Sequence, residues 1–297
     1  MKGIVASGCD GMKLAVGFFD GVHLGHQRIL AGTDAVLTFR NHPLSVLDPA
    51  HAPALLMDAD ERISLLRTVG TGRPRTVHAV RFTRKFASMK PEDFVSYLRR
   101  EFPHLERVHC GGNWRFGGNG AGTPRVLKDF GIPVKVSRFA RLGDCVISST
   151  RIRAALAEGD VESANAMLGR RFSVAGGSFH GKGVGRKLGA PTINFDMKLP
   201  LRRGVYVVDT PYGRGVANYG IAPTMGENSW NTPVLEVHIL DGFEKNRVST
   251  VSSFSVEFVG FLRPERKFNC TDELIGQIAA DVKAARAFQG GEGSKAN

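Results

Sequence analysis

The sequence predicts an α/β protein built in two parts: a helix-covered parallel sheet, then a small antiparallel β-barrel with a terminal helix. Three observations carry this prediction. The 297 residues are long for one domain and comfortable for two. Up to about residue 158, short apolar strands alternate with amphipathic helices, the pattern of a parallel sheet covered on both faces. After Phe172, strand-like segments follow one another directly between Gly, Pro and Asn clusters, as in a small antiparallel barrel. The expected division is residues 1–158, a linker over 159–171, and residues 172–297.

Element by element, Lys13 to Gly17 reads as a short buried strand, followed by a Gly-rich turn and a helix from about His23 to Leu30. Ala35 to Phe39 is a second strand, ended by the turn Arg40-Asn41-His42-Pro43. Asp58 to Val69 places Ile63, Leu65, Leu66 and Val69 at helical spacing. Val77 to Phe82 is strand-like. Lys90 to Phe102 is a helix with Pro91 in its first turn and Phe94, Val95 and Leu98 inward. Val108 to Gly111 and Ile132 to Val136 are further strands, and Ile152 to Glu158 is a helix stopped by Gly159. In the second part the strands are Gly204 to Thr210, Arg214 to Tyr219, Val234 to Leu240 and Val251 to Val259. Asp272 to Phe288 is a helix with Leu274, Ile278 and Val282 on one face, and Gly290 to Asn297 is expected to be disordered.

Composition narrows the function classes. Apolar residues make up 42% and charged residues 23%, which excludes collagen-like and intrinsically disordered chains. No apolar run approaches the ~20 residues that span a bilayer, and the first fifteen residues lack the apolar core of a signal peptide. Cys9, Cys110, Cys145 and Cys270 are far apart, with no zinc-like spacing, and read as reduced thiols of a cytoplasmic protein. The net charge of +12 suits phosphate-bearing ligands. Its densest stretch, Arg62 to Arg100, reads as a solvated basic face; RNA binding is the other reading, although no basic-aromatic RNP motif is present.

Two regions carry chemistry. In Gly17 to His26 (GFFDGVHLGH), His23 and His26 lie three apart at a helix start, where backbone N–H groups favour an anion. Gly17, Gly21 and Gly25 allow close backbone approach, and two imidazoles there can donate to a phosphate as charge builds on it. The alternatives for the pair are incidental histidines or a metal pair. Ile147 to Arg153 (ISSTRIR) precedes a helix that Ser149 or Thr150 would cap, and Asn113 and Arg115 sit beside aromatics in GGNWRFGG.

In the second part, His180 to Asn194 (HGKGVGRKLGAPTIN) is a cationic Gly-rich loop whose N–H groups can form an anion nest. It ends in Thr192 and Asn194, neutral oxygen ligands of the kind Mg²⁺ takes. A plain hairpin loop is the alternative. Glu236, inside the apolar strand VLEVH, is costly to bury without a partner or a task, so it is a salt-bridge residue or a general base. His238, on the same side, reads equally as a packed core histidine.

These motifs together resemble the bacterial bifunctional riboflavin kinase/FMN adenylyltransferase family, the FAD synthetases. GFFDGVHLGH resembles the HxGH element of its Rossmann-like nucleotidyltransferase domain, TFRNHP its TFxPHP element, GGNWRFGG its GxNFRFG element, and ISSTRIRAAL its SSTRIR element. HGKGVGRKLGAPTIN, GVYVV, ANYGIAPTM, LEVH and FLRPERKF resemble the riboflavin kinase signature in the same order. The resemblance runs from about Lys13 to Phe288.

It implies two reactions in FAD biosynthesis: ATP-dependent phosphorylation of riboflavin to FMN, and AMP transfer from ATP to FMN giving FAD and pyrophosphate. It implies that His23 and His26 stabilise the α-phosphate. Gly17, Phe19, Asp20, Gly21 and Gly25 would surround the nucleotide, Asn113 and Arg115 would line the nucleotide or flavin site, and Ser149, Thr150 and Arg151 would hold the β and γ phosphates. In the kinase, Gly181, Lys182, Gly183, Gly185 and Arg186 would hold ATP, Thr192 and Asn194 would ligate Mg²⁺, and Glu236 would activate the ribityl hydroxyl. The chain departs from the family pattern in the short Gln27–Asp34 connection, in Asn41 for Pro, in Trp114 for Phe, and in Ala190 for Phe. The first two departures raise the alternative of a kinase whose first domain only binds nucleotide.

Overall fold

A computed structural model describes residues 11–177, 192–196, 199–221, 233–240 and 253–289. The expectations for Cys9, for the Gly181–Arg186 loop and Ala190, and for the tail from Gly290 lie outside these residues. The chain forms two compact units that part between Ile147 and Ser148, with Ala54–Met57 joining the second.

The first unit is built on five parallel strands in the order β3-β2-β1-β4-β5. These are β1 (Met12–Val16), β2 (Ala35–Phe39), β3 (Thr76–Val80), β4 (Leu105–Gly111) and β5 (Val134–Ser137). β2 is buried on both faces, as a covered central strand must be. The long helices are α1 (Leu24–Leu30), α3 (Ala59–Thr68) and α5 (Pro91–Glu101); α2 (Leu44–Leu47), α4 (Arg84–Ala87) and α6 (Pro124–Asp129) are short. Phe94, Val95 and Leu98 of α5 pack on Leu14, Val16, Leu37, Val108 and Cys110 of the sheet, as their spacing predicts. The two-residue strands β6 (Arg141–Leu142) and β7 (Cys145–Val146) end the unit.

The second unit begins with α7 (Ser149–Glu158) and α8 (Val161–Leu168). Six antiparallel strands follow in the order β8-β13-β10-β11-β12-β9. They are β8 (Phe172–Gly177), β9 (Thr192–Asp196), β10 (Gly204–Thr210), β11 (Gly213–Gly220), β12 (Val234–Ile239) and β13 (Ser253–Pro264). β13 is longer than expected and shifts register twice against β10, the irregularities by which a small sheet coils. α9 (Thr271–Ala287) packs Ala285 against Val207 and Val259. It is pinned by Arg263, whose Nε and Nη2 donate to both oxygens of buried Asp281 at 2.9 and 2.7 Å.

Two expectations are corrected here. Residues 159–171, read as linker, contain α8: Asp160 caps Ser163 N–H, Gly169 ends the helix at φ 71°, and Asn165 donates to Phe258 O of β13. The basic stretch is not uniformly a solvated face, because Arg62 and Arg75 are buried. Arg75 donates to the carbonyls of Leu66, Val69 and Leu30, closing the C-terminal ends of α3 and α1. Burial lowers its pKa, opposed by Asp34. Among the described residues, no helix is long and apolar enough to cross a membrane.

Candidate active sites

The strand order of the first sheet reverses at β1, with β2 on one side and β4 on the other. Ligands of open α/β sheets bind outside the carboxyl ends of the strands at such a switch point. The GFFDGVHLGH loop leaves the carboxyl end of β1, and GGNWRFGG leaves that of β4.

The first loop is strained. Phe19 and Val22 hold φ of 59° and 41°, and Gly21 holds 76°. Positive φ is rare for a β-branched residue and persists only where surrounding structure over-determines it. The tight turn Asp20–Val22 buries Asp20 and brings His23 to the N-cap of α1. There the Nδ1 of His23 accepts from His26 N–H at 3.3 Å. The two imidazoles stack with centroids 3.5 Å apart and planes 19° apart, and Phe19 meets His26 edge-on at 5.3 Å. His23 is only 5% exposed. Gly25 lies against the His23 ring, where a Cβ would come within 3.0 Å of it, so the glycine leaves room for the stacked pair.

The turn after β2 is tied to its neighbours. Phe18 meets His42 edge-on at 4.7 Å, and Thr38 Oγ1 donates to Phe18 O at 3.0 Å. The loop after β4 turns Trp114 inward to stack on Phe116 at 4.9 Å and leaves Asn113 and Arg115 exposed on either side of it. In the second unit, α7 starts at Ser149, earlier than expected, and Ser148 rather than Ser149 or Thr150 caps it by accepting from Arg151 N–H at 3.2 Å. Ser149, Thr150 and Arg151 thus form its first turn.

In the antiparallel sheet, β12 alternates as predicted: Leu235, Val237 and Ile239 are buried, while Glu236 and His238 share the other face. Glu236 stands opposite Asn218 of β11 and Asn194 of β9, and His238 stands opposite Thr192. Burial pushes the Glu236 carboxyl above its ordinary range. Register therefore gathers Glu236, Asn194 and Thr192, three of the predicted kinase residues, onto adjacent strands. Their donors are oxygens, which suits a hard divalent cation. Among the described residues there is no cluster of three His, Cys, Asp or Glu side chains for a metal.

Comparison with known proteins agrees with this geometry. The family model described as FAD synthetase matches residues 9–151, and the one described as riboflavin kinase matches residues 168–289. The bifunctional riboflavin kinase/FMN adenylyltransferase of Bacillus subtilis (strain 168) is 32% identical over 92% of this chain and 90% of its own length. The chain belongs to the bifunctional riboflavin kinase/FMN adenylyltransferase family. Its Haemophilus influenzae member is 33% identical over 94% of both chains. A crystal structure from Streptococcus pneumoniae, described as a macrolide-efflux protein, superposes with a TM-score of 0.76 over 94% of each chain; at 24% identity it bears on the fold alone.

Two departures from the family pattern have a structural account. The short connection after α1 is closed by Thr33, whose N–H and hydroxyl both donate to Leu30 O, with Arg75 as a third donor. Lys13 and Asp34 then exchange bonds so that β2 runs parallel to β1. Asn41, expected to close a local turn, donates within it to Ser45 Oγ at 3.4 Å and also reaches across: it accepts from Phe82 N–H at 2.9 Å and donates to Phe82 O at 3.1 Å. It thereby extends the β2–β3 pairing by one side chain. Sequence reasoning missed Arg62, which is fully buried against the Phe18 ring and the carbonyls of Phe39 and Arg40. Its signal was its place four residues before Leu66, on the inward stripe of α3.

Proposed function

We propose that this chain makes FMN from riboflavin and then FAD from FMN, with residues 172–297 as kinase and residues 1–158 as adenylyltransferase. In the adenylyl transfer, an FMN phosphate oxygen attacks the α-phosphate of ATP, the bond to the β-phosphate breaks, and pyrophosphate leaves. His23 and His26 donate to the charge that builds on the α-phosphate. Gly17, Phe19, Asp20, Gly21 and Gly25 shape the loop around the nucleotide. Asn113 and Arg115 line the cleft, and Ser149, Thr150 and Arg151 hold the departing phosphates. The stacked pair of histidines at the switch point carries this reading.

In the kinase, Glu236 takes the proton of the ribityl hydroxyl as that oxygen attacks the γ-phosphate of a second ATP, and ADP leaves. Both transfers use a divalent cation with ATP, Mg²⁺ in our reading, which neutralises charge on the transferring phosphates. Thr192 and Asn194 would hold it in the kinase, and Gly181, Lys182, Gly183, Gly185 and Arg186 would bind the nucleotide. Free Cys110, Cys145 and Cys270 support a cytoplasmic setting. The test is a pair of variants. His26→Ala should stop FAD formation and spare FMN formation, whereas Glu236→Gln should stop FMN formation and spare FAD formation from supplied FMN. Loss of both activities in either variant would contradict the division.

A further inference from the structure

The Arg62 guanidinium is 0% exposed, and its contacts converge on two separate motifs. Its Nη2 donates to Phe39 O at 2.6 Å and to Arg40 O at 3.3 Å, at the carboxyl end of β2 where TFRNHP begins. Its carbon centre lies 4.1 Å above the ring of Phe18, which opens the histidine loop and touches His42. The charge of Asp20, in the same loop, acts on it favourably, as does that of Asp58, the cap of α3. Its Nε and Nη1 have no hydrogen-bond partner among the described residues.

For stability alone, this is a poor use of a core position. Desolvating a guanidinium is costly, and burial lowers its pKa despite the two carboxylates. Replacing a buried, incompletely paired charge by an apolar side chain of similar length is often neutral or stabilising. What an apolar side chain cannot do is donate to the Phe39 and Arg40 carbonyls while holding a flat cation against Phe18.

We infer that Arg62 is a positioning residue for adenylyl transfer, clamping Phe18 of the histidine loop to the end of β2 and so fixing His23, His26 and His42 relative to one another. The inference rests on the adenylyltransferase reading above. Misplacing reacting groups by about 1 Å costs on the order of 10²-fold in rate, so the clamp acts on kcat more than on binding.

The test uses the full chain and measures both half-reactions, with riboflavin phosphorylation as internal control. Arg62→Met should keep or raise the melting temperature. It should lower kcat for FMN to FAD by about 10²-fold, leave KM for ATP and FMN within about threefold, and leave FMN formation unchanged. Arg62→Lys keeps the charge but not the planar fork, and should fall between Arg62→Met and wild type. If Arg62→Met fails to fold, Arg62→Lys decides alone. A folded Arg62→Lys protein with wild-type kcat overturns the inference, as does a folded Arg62→Met protein that retains more than about half of kcat. A parallel loss of melting temperature and both activities also overturns it, assigning Arg62 to folding. If wild type itself makes no FAD, the adenylyltransferase reading fails first, which separates the two failures.

Discussion

Replacing Asn41 by Ala isolates one connection between the TFRNHP turn and the rest of the first sheet. The substitution removes the two hydrogen bonds to Phe82, from its N–H at 2.9 Å and to its O at 3.1 Å, together with a longer, exposed one to Ser45 Oγ at 3.4 Å. Each bond to Phe82 is worth about 1 kcal/mol net. Both Asn41 and Phe82 are half-buried, so water replaces part of the loss and the expected cost of local opening falls to about 1–2 kcal/mol. At 1.4 kcal/mol per decade, Phe82 N–H should exchange with deuterium about 5- to 30-fold faster in Asn41→Ala than in wild type. FAD formation should slow by about tenfold with no change in FMN formation, because His42 and its neighbours lose one anchor while the second unit is untouched. Asn41→Pro, which restores the family's usual residue, should behave like Asn41→Ala, since proline presets the turn but cannot bond Phe82. Unchanged exchange at Phe82 and wild-type FAD formation in Asn41→Ala would refute this account of the departure. Faster FAD formation in Asn41→Pro would refute it as well.

Further outcomes follow from the second unit. Because burial raises the Glu236 pKa and the base works deprotonated, kcat/KM for FMN formation should fall as pH drops through a value above the ordinary carboxylate range; an acid limb at or below the usual ~4.3 would contradict this. FAD formation from supplied FMN should not share that limb. Asp281→Asn leaves Arg263 largely buried without its carboxylate, at side-chain exposures of 21% for the arginine and 9% for the aspartate. Urea titration of FMN-forming activity should show about 3 kcal/mol of lost stability, and a midpoint unchanged from wild type would show that the pair is dispensable.

The elements legible in the sequence were those whose pattern has a single physical reading. Glu236 stood out because a carboxylate in a strand of Leu, Val and Ile must have a task or a partner, and β12 alternates as that argument requires. The histidine pair stood out because it follows a strand and is interspersed with three glycines, Gly17, Gly21 and Gly25. Arg62 and Arg75 were hard to read for the opposite reason, with only the helical spacing of Arg62 from Leu66 as a signal. In composition a buried guanidinium is identical to a solvated one, and it is tertiary contacts to carbonyl groups that distinguish them. α8 was missed because eight residues after a helix-ending glycine resemble a connector; its Asp160 cap and Gly169 stop were the available signals. The reach of Asn41 was hidden because its partner lies 41 residues away, beyond any local turn rule.

The central claim is that one chain performs two successive phosphate transfers on one flavin. The most direct test is to incubate the full-length protein with riboflavin, ATP and Mg²⁺ and to resolve riboflavin, FMN and FAD by chromatography over time. FMN that rises and then gives way to FAD is the predicted course. FMN that accumulates with no FAD, even with ATP in excess, would contradict it.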